Sequence, residues 1–289
     1  MAIIELNNVC FKYGKKTPYE INALDNVSLT IEENVITGLI GHTGSGKSTL
    51  VQMLNGLLKP DSGSVIVDGQ RLWEKPKKIG NIRFKVGMVM QYPEYQLFAE
   101  TVREDIAYGP KNMGLSPEEI EKRVARSVEF CGLDQSILDK SPFDLSGGQK
   151  RRVALAGVMA MEPKILILDE PAAGLDPKGR REILGGIKKF KEESGTSVIV
   201  VSHSMEDMAM YCDRVIVMSH SHVIANGSCE EIFSNRELLN NAGLDVPEIT
   251  NIVTSLKNIG TQLPDNIYTV DGAFNSLLQL YKQGKGGAQ

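Results

Sequence analysis

The sequence predicts an α/β protein with a parallel-stranded nucleotide core, an antiparallel β-subdomain, a helical subdomain and a small C-terminal extension. Three observations predict it. A glycine-rich loop sits directly between an apolar strand-sized run (residues 35–40) and an amphipathic stretch (residues 48–58). Two further apolar runs, residues 165–168 and 198–201, show no alternation, as expected of parallel strands covered on both faces. Residues 3–13 and 24–31 instead tend to alternate apolar with polar, as half-buried antiparallel strands do.

The elements follow in chain order. Residues 3–13 and 24–31 read as two antiparallel strands, with Ile4, Leu6, Leu29 and Ile31 facing one way. Residues 64–67 form another strand, ended by the turn pair Asp68-Gly69. Apolar residues at 50, 51, 54, 57 and 58 give a helix closed by Lys59-Pro60. The basic residues Lys75, Lys77, Lys78, Arg83 and Lys85 read as a solvated loop. Residues 117–131 form a polar-faced helix with Ile120, Val124 and Val128 on one stripe, and residues 183–190 supply a crossover helix between the two parallel runs. Past residue 234, short helices around Leu238-Leu239, 249–256 and 274–281 are separated by Pro247 and Pro264, and residues 283–289 read as a frayed tail. The reading divides the chain into residues 1–245, with a helical subdomain over about 92–160, and an extension over 246–289.

Composition narrows the class. The chain has 289 residues, 42% hydrophobic and 24% charged, with a net charge of −4. Those fractions are ordinary for a globular protein and exclude collagen-like, disordered and coiled-coil classes. The mild acidity gives no reason to expect nucleic acid. Four scattered cysteines without CxxC spacing argue against a disulfide framework or a cysteine zinc site, and favour a reducing compartment. No signal-peptide pattern is visible at the start, and no apolar run approaches the roughly 20 residues that span a bilayer.

Gly41-His42-Thr43-Gly44-Ser45-Gly46-Lys47-Ser48, followed by Thr49, matches G-x-x-x-x-G-K-[ST] without a mismatch. The glycines let consecutive N–H groups curl around a phosphate, and the following helix adds the positive end of its dipole. Lys47 is placed for the β- and γ-phosphates, and Ser48 offers a hydroxyl to Mg²⁺. His42 belongs to this loop but carries no chemistry of its own. Residues 165–168 deliver Asp169 and Glu170 to the C-terminal end of a buried strand, where open parallel sheets place ligands. There Asp169 suits the Mg²⁺ shell and Glu170 suits polarising the attacking water. His220 and His222, two apart on an expected strand, are too few for a metal site.

Leu145-Ser146-Gly147-Gly148-Gln149 then precedes an expected helix over 150–161, whose N-terminus can present free amides to an anion. One chain with both this pentapeptide and the phosphate loop resembles the ATP-binding cassette family over residues 3 to 245. The resemblance implies that Tyr13 stacks on adenine and that Gln91 senses Mg²⁺ and the attacking water. It implies that Asp176, in Ala173-Gly174-Leu175-Asp176, crosses between paired cassettes, and that His203 contacts the γ-phosphate. It also implies head-to-tail pairing, with Ser146, Gly147, Gly148 and Gln149 serving the partner's nucleotide. ATP and Mg²⁺ are then the ligands.

Gln91 is followed by Tyr92-Pro93-Glu94-Tyr95-Gln96-Leu97-Phe98 and later by Tyr108-Gly109-Pro110. This wording resembles the ATPases of energy-coupling-factor importers, and the second of their two ATPase subunits more than the first. That resemblance implies uptake of vitamins or transition-metal ions in prokaryotes, at the cytoplasmic face of the membrane. The implied partners are a related ATPase, or a second copy in its place, a transmembrane coupling subunit and a substrate-binding membrane subunit. Tyr95, Leu97 and Phe98 become the expected membrane-subunit contact, and the C-terminal extension an expected dimerising element. The rival is a cassette of another importer class or a mechanical ATPase. Mechanical relatives insert a long coiled coil, and no sustained heptads separate Lys47 from Ser146.

Overall fold

The structure, a computed structural model, describes residues 1–286. Two sheets organise it. The first is antiparallel: β1 (Ala2–Tyr13) lies between β2 (Ile21–Glu32) and β4 (Ser62–Val67), with the two-residue β5 (Gln70–Arg71) on the outer edge. The second has six strands in the order β10 (His222–Ser228), β9 (Arg214–Ser219), β3 (Ile36–Gly41), β8 (Ser197–Val201), β7 (Ile165–Asp169) and β6 (Val86–Val89). All its pairings are parallel except β9 with β10.

The unalternating apolar runs follow from burial on both faces. On one face Leu39, Ile167, Ile199 and Ile216 pack with Ile4, Leu6 and Val65 of the antiparallel sheet and with Met53 of α1 (Lys47–Leu54). On the other, Ile40, Leu168, Val200 and Val217 pack against a helical layer. Successive side chains point to opposite faces of a strand, so two cores share one sheet.

The short α2 (Ile82–Lys85) puts Ile82 into the first core, whereas the helical layer on the other face is built by α3 (Val102–Asn112), α4 (Pro117–Phe130) and α5 (Gly147–Met159). Thr101 and Ser116 cap α3 and α4 by accepting from the amides of Glu104 and Glu119. The crossover helix α6 (Pro177–Ser194) and α7 (Met205–Tyr211) return the chain to the sheet. α8 (Cys229–Phe233), α9 (Arg236–Asn241), α10 (Glu248–Asn258) and α11 (Val270–Gly286) complete it. Val253 of α10, Ala273 of α11 and Leu263 and Ile267 of the segment joining them form a small third core.

Several local expectations are corrected. α1 ends at Leu54 rather than at residue 58, because Asn55 turns inward to donate to the Val86 carbonyl at 2.6 Å and Gly56 adopts φ +72°. α6 is longer than residues 183–190, since Asp176 caps it with Pro177 in its first turn and Gly195 ends it at φ +69°. The basic stretch forms a short 3₁₀ turn and α2 instead of a loop, with Lys85 paired to Asp68 at 2.7 Å; the Lys78 side chain lies outside the described residues. His220 sits in the tight turn between β9 and β10, not on a strand with His222. The expected fraying of 283–289 is met by helical backbone to Gly286, with 287–289 outside the described residues.

Candidate nucleotide site

Strand order explains why the motifs meet. β3, β8 and β7 are neighbours, so the loop after Gly41, the turn after Val201 and the acidic pair after Leu168 emerge side by side at the C-terminal ends of these strands. The Glu170 amide donates to the Val201 carbonyl at 2.9 Å, locking two of these ends together. A cavity of about 390 Å³ opens there. It is lined by Thr43, Gly44, Gly46, Lys47, Ser48 and Thr49 of the loop and α1, by Gln91, Asp169, Glu170 and His203, and by Tyr13.

The loop is built for close backbone approach. Gly46 has φ +104°, and a Cβ there would lie 2.4 Å from the Ala23 carbonyl oxygen. Lys47 is 7% exposed, and its ammonium donates to the carbonyls of Gly41 at 2.6 Å and His42 at 3.0 Å. Burial holds its pKa below the ordinary lysine value, while Glu170 and Asp169 pull it back up. Gly41, His42 and Ser45 do not line the cavity. The His42 ring lies 4.8 Å from that of His220, and its Nε2 accepts from the His220 amide at 3.2 Å.

Opposite the loop, burial raises the pKa of both carboxylates; Lys47 and His203 oppose the shift at Asp169, and His203 first at Glu170. Glu170 takes φ +54°, a left-handed conformation uncommon outside glycine, and its Oε1 is buried without a hydrogen-bond partner. His203 Nε2 stands 3.6 Å from that oxygen. Tyr13 is 41% exposed at the mouth, set edge-on to Phe11, with its hydroxyl 3.3 Å from Thr49 Oγ1. Ile21, Asn22 and Ala23 of β2 also line the cavity. Sequence reading missed them; the only pointer is the register that places Ile21 opposite Tyr13.

Ser146, Gly147, Gly148 and Gln149 are not at this cavity. Ser146 caps α5 by accepting from the Gln149 amide at 3.4 Å, and Gln149 Oε1 accepts from the Ser146 amide at 3.0 Å. Asp176 is exposed and accepts from the Gly179 amide at 2.6 Å. Tyr95 and Phe98 are 85% and 61% exposed, whereas Leu97 is half-buried against the main core. The three therefore do not form one exposed cluster.

A glycine-rich loop after β3, a buried lysine and two carboxylates at the end of β7, two strands away, define a P-loop ATPase of the cassette type. Residues 24–173 match the family described as ABC transporter, and residues 139–208 also match an AAA domain described as putative AbiEii toxin, Type IV TA system. The chain is 53% identical over 280 residues to the energy-coupling factor transporter ATP-binding protein EcfA2 of Clostridium perfringens, covering 96% of this chain and 98% of that one. It is 51% identical over 283 residues to the protein of the same name from Clostridium acetobutylicum, covering 98% and 99%. Among solved structures, cbiO1 from Clostridium perfringens, part of the ABC transporter complex cbiONQ, superposes with a TM-score of 0.75 at 38% identity. That match covers 88% of this chain and 99% of the other. A dimeric post-hydrolysis state of the ATP-binding cassette MJ0796 with ADP and Pi gives 0.71 at 31% identity, covering 78% and 98%. The chain belongs to the ABC transporter ATPase family, within its energy-coupling-factor ATP-binding branch.

Proposed function

We propose that this chain binds and hydrolyses ATP as a peripheral subunit of an energy-coupling-factor importer, at the cytoplasmic face of the membrane, driving uptake of a vitamin or a transition-metal ion. The observation that carries this is the single cavity joining Lys47, Asp169, Glu170 and His203 beside Tyr13. Lys47 would neutralise charge on the β- and γ-phosphates, Tyr13 would stack on the base, and Glu170 would polarise a water in line with the γ-phosphate. His203 would hold that geometry from the neighbouring strand end.

The site suits Mg²⁺. Among the described residues no group of three or more His, Cys, Asp or Glu side chains could hold a metal. A cation that keeps waters and takes phosphate oxygens needs only a few protein ligands, and Ser48, Gln91 and Asp169, which all line the cavity, offer hard oxygens. When bound, the ion supplies charge neutralisation across the phosphates.

Ser146 to Gln149 would serve a nucleotide held by a partner cassette, since they face solvent away from this chain's own cavity. The partner is a related but different ATPase. No described helix is long and apolar enough to cross a membrane, so separate coupling and substrate-binding subunits would do so. Tyr95 and Phe98 would meet the coupling subunit. In the extension after residue 245, exposed Val270, Phe274, Leu277 and Leu278 recur along one side of α11, a face suited to dimerisation.

The test is phosphate release by the complex purified from detergent-solubilised membranes, with its subunits identified by mass. ATP-dependent phosphate release with co-purifying membrane proteins is expected. Replacing Ser146 by Arg should disable the partner's site while leaving ATP labelling of Lys47's own loop intact.

A further inference from the structure

Arg151 is a charged residue where the fold has little room for one. It lies on α5, two positions past the Gln149 of the capping box, and is 7% exposed. Its Nε and Nη2 both donate to the Glu94 carboxylate, each at 3.3 Å, a two-pronged pairing. Its Nη1 donates to the Ala173 carbonyl. A buried guanidinium must satisfy its donors, and these two partners do so from separate loops.

Those loops are the ones that flank the cavity. Glu94 lies three residues after Gln91, beyond Tyr92 at φ +58°. Ala173 lies three residues after Glu170, and its own amide donates to the Glu170 carbonyl at 3.2 Å. Hydrogen bonds therefore run from the Glu170 backbone to Ala173, then to Arg151, then to Glu94. Arg151 sits on the first turns of the helix that Ser146 caps.

We propose that Arg151 is a positioning residue that ties the loops after Gln91 and Glu170 to the Ser146 helix. The state of this chain's own cavity thereby sets the placement of the face it offers to its partner. This rests on the shared-site reading above. Movement of either loop on nucleotide binding pulls on a planar, two-pronged contact that tolerates little rotation, so the helix follows. A lysine keeps the charge but loses the fork, which is the change that separates positioning from charge balance.

The test uses the assembled complex and a double-mutant cycle of Arg151→Lys and Glu94→Gln, with ATP turnover and thermal unfolding measured for each. We expect each single variant to lower kcat about tenfold with KM for ATP within about twofold, and the double variant to be no worse than either single. Multiplicative effects in the cycle, KM rising in step with kcat loss, or turnover of both singles within twofold of wild type would overturn the proposal. So would a fall in unfolding temperature with kcat of the folded complex unchanged, which marks a merely structural pair. Ser146→Arg in the same complex separates the two ideas. If it leaves turnover intact, the shared site fails, whereas a coupled Arg151–Glu94 cycle still reports the link between the loops and α5.

Discussion

His203 Nε2 stands 3.6 Å from Glu170 Oε1, across the gap between the ends of two adjacent parallel strands, and that oxygen is buried with no hydrogen-bond partner. At 3.6 Å the pair is too far apart for a direct hydrogen bond and too close for an atom to lodge between them. A water or a γ-phosphate oxygen in the cavity they both line, set to one side of this gap, would reach both groups.

Replacing Glu170 by Gln is expected to cut turnover of the assembled complex by about a hundredfold or more while ATP binding persists, because only the polarising carboxylate is lost. Burial raises the Glu170 pKa above the ordinary 4.5. Its active, ionised form is therefore lost on acidification at a higher pH than for an exposed glutamate. The acid limb of the wild-type rate profile should lie above 4.5, and steady-state rates across pH measure it.

The same substitution is expected to stabilise the fold at neutral pH. An acid whose folded pKa exceeds its unfolded value binds its proton more tightly when folded. Its contribution to stability falls as pH rises from the unfolded toward the folded pKa, and the penalty is complete above it. Gln carries no such penalty. Thermal unfolding without nucleotide should show Glu170→Gln above wild type at pH 7, with the gap closing below pH 4.5.

Lys47→Ala should act on binding rather than on the chemical step. The ammonium closes the loop by donating to the Gly41 and His42 carbonyls and faces where the phosphates would lie. Losing a charge-assisted contact of this kind weakens triphosphate affinity by about tenfold or more. Equilibrium binding of a fluorescent ATP analogue should show that loss, with a smaller effect on a nucleoside lacking phosphates.

The exposed aromatics after Gln91 give a surface prediction. Changing Tyr95 and Phe98 together to Ser removes side chains 85% and 61% exposed, so the melting temperature should hardly move while transport by the complex uncouples from ATP hydrolysis. Leu97→Ser should instead destabilise the fold by about 1–3 kcal/mol, because Leu97 packs on the main core. Unfolding curves and uptake into vesicles distinguish the two. Unchanged uptake in the Tyr95/Phe98 variant would remove these residues from the docking surface.

Much of this was legible in the sequence because it is written in local chemistry. The run from Gly41 to Ser48 needs only its own glycines and the following helix to form a phosphate cradle, and the unalternating residues 165–168 announce a strand buried on both faces. Alternation alone placed β1 and β2. Tertiary structure decided what depends on neighbours distant in the chain. α1 stops at Leu54 because Asn55 finds Val86, thirty-one residues away, a partner no periodicity reveals. Leu97 and Phe98 are adjacent and similarly apolar, yet one packs on the core and the other meets solvent, since the turn after Pro93 sets which way each points. The Arg151 link was also silent, because a basic residue past a helix cap reads as surface until two loops fold over it. Local motifs carry the cradle's shape; the order β3, β8, β7 alone brings Lys47, Glu170 and His203 together at the C-terminal ends of the strands, because sheet pairing joins residues by register rather than by sequence distance.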